Sequence, residues 1–311
     1  MTRPFHIPFI ITTEVSKMEF INVKGNTWVA CGPVNIGAFV KNGEAVLIDS
    51  GNDSSAGRKI LRLAEKNEWS IKLIINTHFH ADHIGGNAFI QKRTDCSIAA
   101  SAKEAPFITF PEMEPEALWS GKAPKAISNK FLQAEPSNVT LILEPDTTIE
   151  EFGLKIVSLP GHAHGQIGVM TPDGVFFTAD SVISEHILDK YGIPFTADYC
   201  SAMLTFDKLE HFEAGYFVPS HGEICEDIAP LVDANRRCLI SLKDEILEIC
   251  REPSTRDEIV GRLATRHALE MNLSQYVLIF STVAAILSPL VDSGEIICSF
   301  RTGTILLQKK E

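Results

Sequence analysis

At 311 residues, 45% of them hydrophobic, the chain can bury one large core or two moderate ones. Its formal net charge of −12 repels polyanions, so nucleic acid is a disfavoured partner unless a local basic patch overrides the global sign. No run of about 18 apolar residues is expected to span a bilayer, and Pro8 breaks the short apolar opening. The seven scattered cysteines (Cys31, Cys96, Cys200, Cys225, Cys238, Cys250, Cys298), with no C-x-x-C spacing, read as buried reduced thiols in a cytoplasmic protein.

Residues 45–51 (AVLIDSG) form the first predicted buried strand, short and apolar and closed by polar and glycine positions. A helix follows over 55–69, whose period turns Ile60, Leu63, Ala64 and Trp69 toward the sheet. The next strand, 72–77 (KLIINT), runs into His78, Phe79, His80, Ala81, Asp82 and His83. His78 and His80 stand two apart just past an extended segment, so both imidazoles project to one side and can reach one cation. Asp82 and His83 lie in the following turn, offset enough to serve a second cation, and Gly85 and Gly86 let the backbone turn tightly beneath them. A lone histidine is usually a surface or capping residue. Four such side chains within six positions arise by chance on the order of once in a thousand, so the cluster reads as a metal site.

A strand at 97–101 (SIAAS) leads into residues 102–138, rich in proline and large apolar residues without a clear period. An ordered connection this long is usually functional, so it is predicted to be a pocket wall or lid; the plainer alternative is a cover for a sheet edge. Three later strand-end loops offer the ligands that one loop cannot supply. His162 follows the strand at 154–161 (LKIVSLPG), Asp180 closes the strand at 174–180 (GVFFTAD), and His221 follows the apolar run before it. Each is weak alone; with the first cluster they complete a set of five histidines and two aspartates. The class is mixed α/β, with sheets covered by helices.

Past Ile228 the texture changes. Leu239, Leu242, Ile246 and Ile249 share one helical stripe, and a second helix opens with Ser254 and Asp257 in capping-box spacing. A third, largely apolar helix over 274–296 should kink at Pro289 and end at Gly294, and two short strands joined through Arg301, Thr302 and Gly303 close the chain. Three helices and a hairpin are the order of a winged helix. Domains are therefore expected at 1–228, catalytic, and 229–311, winged-helix-like.

The segment His78-Phe79-His80-Ala81-Asp82-His83 is an H-x-H-x-D-H signature, and with Asp49, His162, Asp180 and His221 it resembles the metallo-β-lactamase superfamily over about residues 20–225. With its tail, the chain looks most like the glyoxalase II-like thioesterase and lactonase branch. The resemblance implies an αββα sandwich with a dinuclear site at one edge. His78, His80 and His162 would hold one metal, Asp82, His83 and His221 the other, and Asp180 would bridge both, while Asp49 orients neighbouring groups. Imidazole and carboxylate suit two Zn²⁺, with Fe, Mn or Co as alternatives. Paired cations lower the pKa of the water between them, so hydroxide is the expected nucleophile, and Asp82 is the expected catalytic proton carrier.

Fold alone does not choose a substrate. A small ester, thioester or lactone is the leading expectation, with cleavage of RNA or another phosphodiester second and a non-catalytic sensor third. From Pro230 to Glu311 there are ten Lys or Arg against eleven Asp or Glu, and the third helix has no basic residue, which fits packing on the catalytic part or a homodimer mate better than reading DNA. His164 is expected as a loop hydrogen-bonder and His186 as a surface residue that could line the pocket. Tyr191 and Tyr199, on the loop beyond Asp180, are candidates to steady an oxyanion. His6, His211 and His267 are expected to be structural.

Overall fold

The computed structural model describes residues 18–311; His6 lies outside them. The first sheet follows chain order: β1 (Phe20–Lys24), β2 (Thr27–Ala30), β3 (Ile36–Lys41), β4 (Glu44–Ile48), β5 (Ser70–Ile75), β6 (Ser97–Ser101) and β7 (Leu141–Leu143). Tight turns make β1 to β4 antiparallel. From β4 to β7 the strands are parallel, because longer crossovers separate them. The crossovers carry α1 (Ser54–Lys66), then the single turn α2 (Ala81–Ile84) and α3 (Asn87–Thr94).

In β4, Val46 and Ile48 face the second sheet while Ala45 and Leu47 face α1, so both sides are buried and the strand reads as one apolar run. Helix α1 is capped by Asp53, whose side chain accepts from the Ser55 and Ala56 N–H groups. Ile60 and Ala64 are its buried contacts, as expected. Leu61 packs against that core where Leu63 was expected, and Trp69 lies past the helix end, against Phe20 and Trp28.

The 102–138 segment contains α4 (Ala105–Thr109) and α5 (Met113–Trp119). The second sheet comprises β8 (Thr148–Ile149), β9 (Leu154–Ser158), β10 (Ile167–Met170), β11 (Val175–Ala179) and β12 (Tyr216–Pro219), antiparallel except for the β11–β12 pair. Val169, Val175 and Phe177 meet the first sheet, and Phe176 turns to the opposite side. This is the αββα sandwich. The stretch beyond Asp180 is helical rather than a loop: Tyr191 ends α6 (Glu185–Tyr191), and Tyr199 opens α7 (Tyr199–Glu210), buried in the core.

The tail follows as α8 (Ala229–Ile249), α9 (Arg256–Arg266), α10 (Leu273–Asp292) and the hairpin β13 (Ile296–Arg301) and β14 (Thr304–Lys309). Leu239, Leu242, Ile246 and Ile249 are buried together. The capping box sits one residue later than expected: the Thr255 side chain accepts from the Glu258 N–H and Glu258 accepts from the Thr255 N–H. Ser254 is unavailable because its backbone pairs with Leu307 of β14, and the longer Glu258 reaches back where Asp257 would fall short. Helix α10 continues through Pro289 and ends beside Gly294, at φ +75°.

Contrary to the expectation from sequence, α10 is long and apolar enough to cross a membrane by length and composition. Here Val277, Ile279, Val283, Ile286, Leu287 and Leu290 are buried against protein, each worth roughly 1.5–3 kcal/mol relative to exposure. One core runs unbroken from Val157 and Phe176 of the second sheet through α7 and α8 to Ile286 of α10, and Val277 packs on Ile127 and Leu132 of the 102–138 segment. The cysteines are all free, but Cys31, Cys200 and Cys298 are exposed rather than buried.

Candidate metal centre

The ends of β4, β5, β9, β11 and β12 deliver Asp49, His78, His162, Asp180 and His221 to one edge of the sandwich. Two of these strand ends hold non-glycine residues in left-handed backbone, Asp49 at φ +62° and Ala179 at φ +53°. Such conformations cost roughly 1–2 kcal/mol each and are typical of sites where side-chain aim matters more than local comfort. Gly85 and Gly86 have ordinary helical φ values, so a tight turn is not their role. A Cβ on Gly85 would lie 2.3 Å from the Asn52 carbonyl carbon and one on Gly86 2.3 Å from the Ser50 oxygen; close backbone approach is what requires glycine here.

His78 Nε2 lies 3.0 Å from His80 Nδ1, which lies 2.9 Å from His162 Nε2. On the other side, Asp82 Oδ2 is 3.2 Å from His221 Nε2 and 3.8 Å from His83 Nε2. Asp180 stands between the groups: Oδ2 is 3.5 Å from His162 and 3.3 Å from His221, and Oδ1 is 3.3 Å from His83 Nε2. The far ring nitrogens fix the tautomers. His162 Nδ1–H donates to the Phe195 carbonyl at 3.1 Å, His221 Nδ1–H to Pro33 at 2.8 Å, and His83 Nδ1–H to Asp49 Oδ2 at 2.8 Å. Each Nε2 is thereby turned inward, the atom that a metal would take once any proton on it has left. Asp49 also accepts from both the N–H and the hydroxyl of Thr77, so one carboxylate orients His83 and the loop that starts His78.

His83 Nε2 and Asp180 Oδ1 are fully buried and make no hydrogen bond despite their proximity. Orphaned polar atoms are costly, and a cation between them satisfies both. The groups His78–His80–His162, Asp82–His83–His221 and His78–His83–Asp180 can each hold a metal ion. Burial disfavours a charged His221, but the Asp180 carboxylate and hydrogen bonds to Asp180 and Asp82 outweigh it and push its pKa up to about 10. Against burial, Asp180, Asp82 and Asp49 likewise hold His83 well above the usual range. Burial and neighbouring histidines hold His78 well below it. Without metal, protons therefore sit on His83 and His221, and they must leave when a cation binds. Zinc affinity is expected to strengthen by about tenfold per pH unit for each proton released, comparing chelator-competed titrations near pH 6.5 and 8.5. Affinity independent of pH over that interval would contradict these proton positions.

Several groups around the centre gave no signal in the sequence. Glu104 is 1% exposed and accepts from the Phe79 N–H at 3.1 Å and the Gly165 N–H at 2.6 Å, tying the first histidine loop to the His162 loop. Burial pushes its carboxyl up to about 7 against those two hydrogen bonds. Glu104→Ala leaves two N–H groups unpaired and is expected to cost roughly 2–5 kcal/mol of stability. Denaturant unfolding of the metal-free protein measures this, and a loss under 1 kcal/mol would rule it out. Glu114, on α5, is buried with Oε1 3.9 Å from His80 Nε2. The Asn35 side chain donates to the Pro219 and Gly222 carbonyls on either side of His221. From the tail, Thr282 accepts from the Thr196 N–H at 3.1 Å and donates to the Pro194 carbonyl at 3.3 Å, holding the segment whose Phe195 carbonyl orients His162.

Of the remaining candidates, His164 and His186 are exposed and outside the three metal-capable groups. His164 borders a neighbouring cavity; Tyr191 borders the main one, while Tyr199 does not. His211 Nδ1–H donates to the Asp207 carbonyl, and His267 Nε2 lies 3.2 Å from Glu245. The centre opens into a cavity of about 1040 Å³ whose wall includes Ala126, Phe131 and Leu132 of the 102–138 segment, in line with the pocket-wall expectation, and Leu273 and Leu278 of α10.

A profile of the metallo-beta-lactamase superfamily matches residues 29–221. A probable metallo-hydrolase of Methanocaldococcus jannaschii is 23% identical over 220 residues, 69% of this chain and 96% of that protein. A hydroxyacylglutathione hydrolase of Hyphomonas neptunium is 52% identical over 42 residues, 14% of this chain and 16% of its own. Among solved structures, a metallo-beta-lactamase family protein from Thermus thermophilus matches with a TM-score of 0.74 at 19% identity, covering 92% of this chain and 99% of that one.

Proposed function

The chain belongs to the metallo-β-lactamase superfamily, a metallohydrolase by its fold and its histidine–aspartate cluster, and from that footing we propose a dinuclear zinc enzyme that hydrolyses a small ester, thioester or lactone. His78, His80 and His162 would hold one ion, Asp82, His83 and His221 the second, and Asp180 would span both. Bound there, the ions supply an activated water and polarise the substrate carbonyl. The protein's own part is orientation and proton handling. Asp49 keeps the His83 proton on Nδ1, and the Phe195 and Pro33 carbonyls do the same for His162 and His221. Asp82 borders the cavity and its side chain is the most exposed carboxylate of the cluster, which places it to relay a proton to the leaving group; against burial, His83 and His221 hold its carboxyl down at about 2, so it starts ionised.

The observation that carries this reading is the pair of buried, orphaned atoms, His83 Nε2 and Asp180 Oδ1, at the end of a cavity with largely apolar walls. A carbonyl substrate is favoured over RNA because α10, which a nucleic-acid reader would present to the duplex, has no Lys or Arg and buries one apolar face against the rest of the protein. The local likeness to a hydroxyacylglutathione hydrolase supports the thioester option. We place the enzyme in the cytoplasm, with a division into catalytic and winged-helix-like parts near residue 228. Elemental analysis, with a panel of thioesters, lactones, phosphodiesters and RNA, tests the reading. Two equivalents of zinc and turnover confined to carbonyl substrates are expected; RNA cleavage with an inert carbonyl panel would reverse it.

A further inference from the structure

Resting on the hydrolase reading, we propose that the substrate is an ester or thioester of a medium- to long-chain apolar acyl group, and that helix α10 of the tail helps build the chamber that holds the chain. At about 1040 Å³ the cavity stands at the upper end of the roughly 300–1,000 Å³ usual for small-molecule sites and opens to solvent beside Lys130 and Phe131, so a short acyl group fills only part of it. One end is the metal centre, where His80, Asp82, His162, Asp180 and His221 border the space. Away from that end the wall is apolar: Ile187 of α6, Ile193, Phe131 of the 102–138 segment, and Leu273, Leu278 and Ile279 of α10.

Most of the polar groups on the same wall are already engaged, and Tyr191 and Asn52, which make no side-chain hydrogen bond, are exposed at the mouth. Asn235 accepts from the Ile183 N–H and donates to the Ile183 and Leu231 carbonyls. The Thr196 N–H is taken by Thr282 and the Ser181 hydroxyl by Gln166. At the α10 end, Asn272 caps the helix through the Gln275 N–H and Ser274 accepts from Asn129. Lys130 and Lys190 are exposed, which keeps their charges at the rim. Glu114 is the buried exception, and it lies at the metal end beside His80. A polar guest finds few open partners in such a chamber and would lose its own hydration. An alkyl chain gives up no hydrogen bond and gains roughly fourfold in affinity for each methylene removed from water, before the cost of ordering the chain.

The test uses the full-length zinc-loaded protein with two readouts. In the first, calorimetry with butanoate, octanoate and dodecanoate is expected to show affinity rising at least a hundredfold across the series. Ile187→Trp and Leu278→Trp, each checked for folding by circular dichroism, should lose at least tenfold in dodecanoate affinity. Two wall positions are used so that a folding failure in one leaves the other informative. In the second, kcat/KM for p-nitrophenyl esters and N-acetylcysteamine thioesters should climb from acetyl to dodecanoyl and fall back for the long chains in both variants. Turnover of the acetyl substrates with no dependence on chain length in either readout would overturn the acyl-chain proposal alone. A slope in binding without turnover of any ester or thioester would overturn the hydrolase reading and the substrate claim with it.

Discussion

Asp180→Asn is expected to leave the fold intact while reducing both metal retention and turnover by at least about a hundredfold. The side chain keeps its shape but loses the negative charge that lies within 3.5 Å of His162, His221 and His83 at once. No other described carboxylate reaches both histidine groups, and on the dinuclear proposal two cations without a shared anion would repel each other at short range. The residue follows β11 rather than pairing within it, so the sheets lose no hydrogen bond. Elemental analysis of the purified variant, steady-state kinetics on the best substrate and circular dichroism check the three parts of this expectation. Full metal content with unchanged rates would end the dinuclear assignment.

Removing the tail should be as damaging without touching a single candidate ligand. A chain ending at Glu226 loses the partners of Phe176, Phe206, Leu209 and Phe217, which share one core with Leu239, Leu242, Ile246 and Ile286. It also uncovers Ile127 and Leu132 in the 102–138 segment, where Val277 had packed. An apolar patch that large on a soluble protein drives self-association. The expected result is aggregation on size-exclusion chromatography, or a soluble remnant with less than about a hundredth of the activity, because the cavity loses one wall and Thr196 loses its hydrogen bond to Thr282. A monomeric, fully active remnant would mean that the tail is an independent module.

The candidate ligands were legible because metal chemistry confines the choice to histidine and aspartate and because four of them crowd one loop; chain order after apolar runs offered three more, each weak alone and joined to the set by the first cluster and the family resemblance. The structure brings all seven together at one edge. Glu104 and Thr282 were not legible, since each acts on backbone groups 25 or more positions away and nothing local distinguishes them from a surface glutamate or a helix threonine. Strands buried on both faces announced themselves as apolar runs, whereas α4 and α5 are too short to establish a period. The slip from Thr255 to Ser254 has a similar cause: spacing proposes several caps, and tertiary pairing of Ser254 with Leu307 selects one. Leu61 and Leu63 lie two apart on α1, and only the position of the sheet decides between them.

The hydrogen bonds from Thr282 through Pro194 and Thr196 to the Phe195 carbonyl, and from there to His162, join two parts of the chain that a domain boundary would treat as separate. Coupling of this kind is reciprocal. A helix that helps aim a ligand is itself steadied when the ligand is engaged, so metal occupancy and the docking of α10 draw on one shared free energy. Substitutions that loosen the tail then register as weaker metal binding, and metal depletion loosens the chamber wall more than 80 residues along the chain.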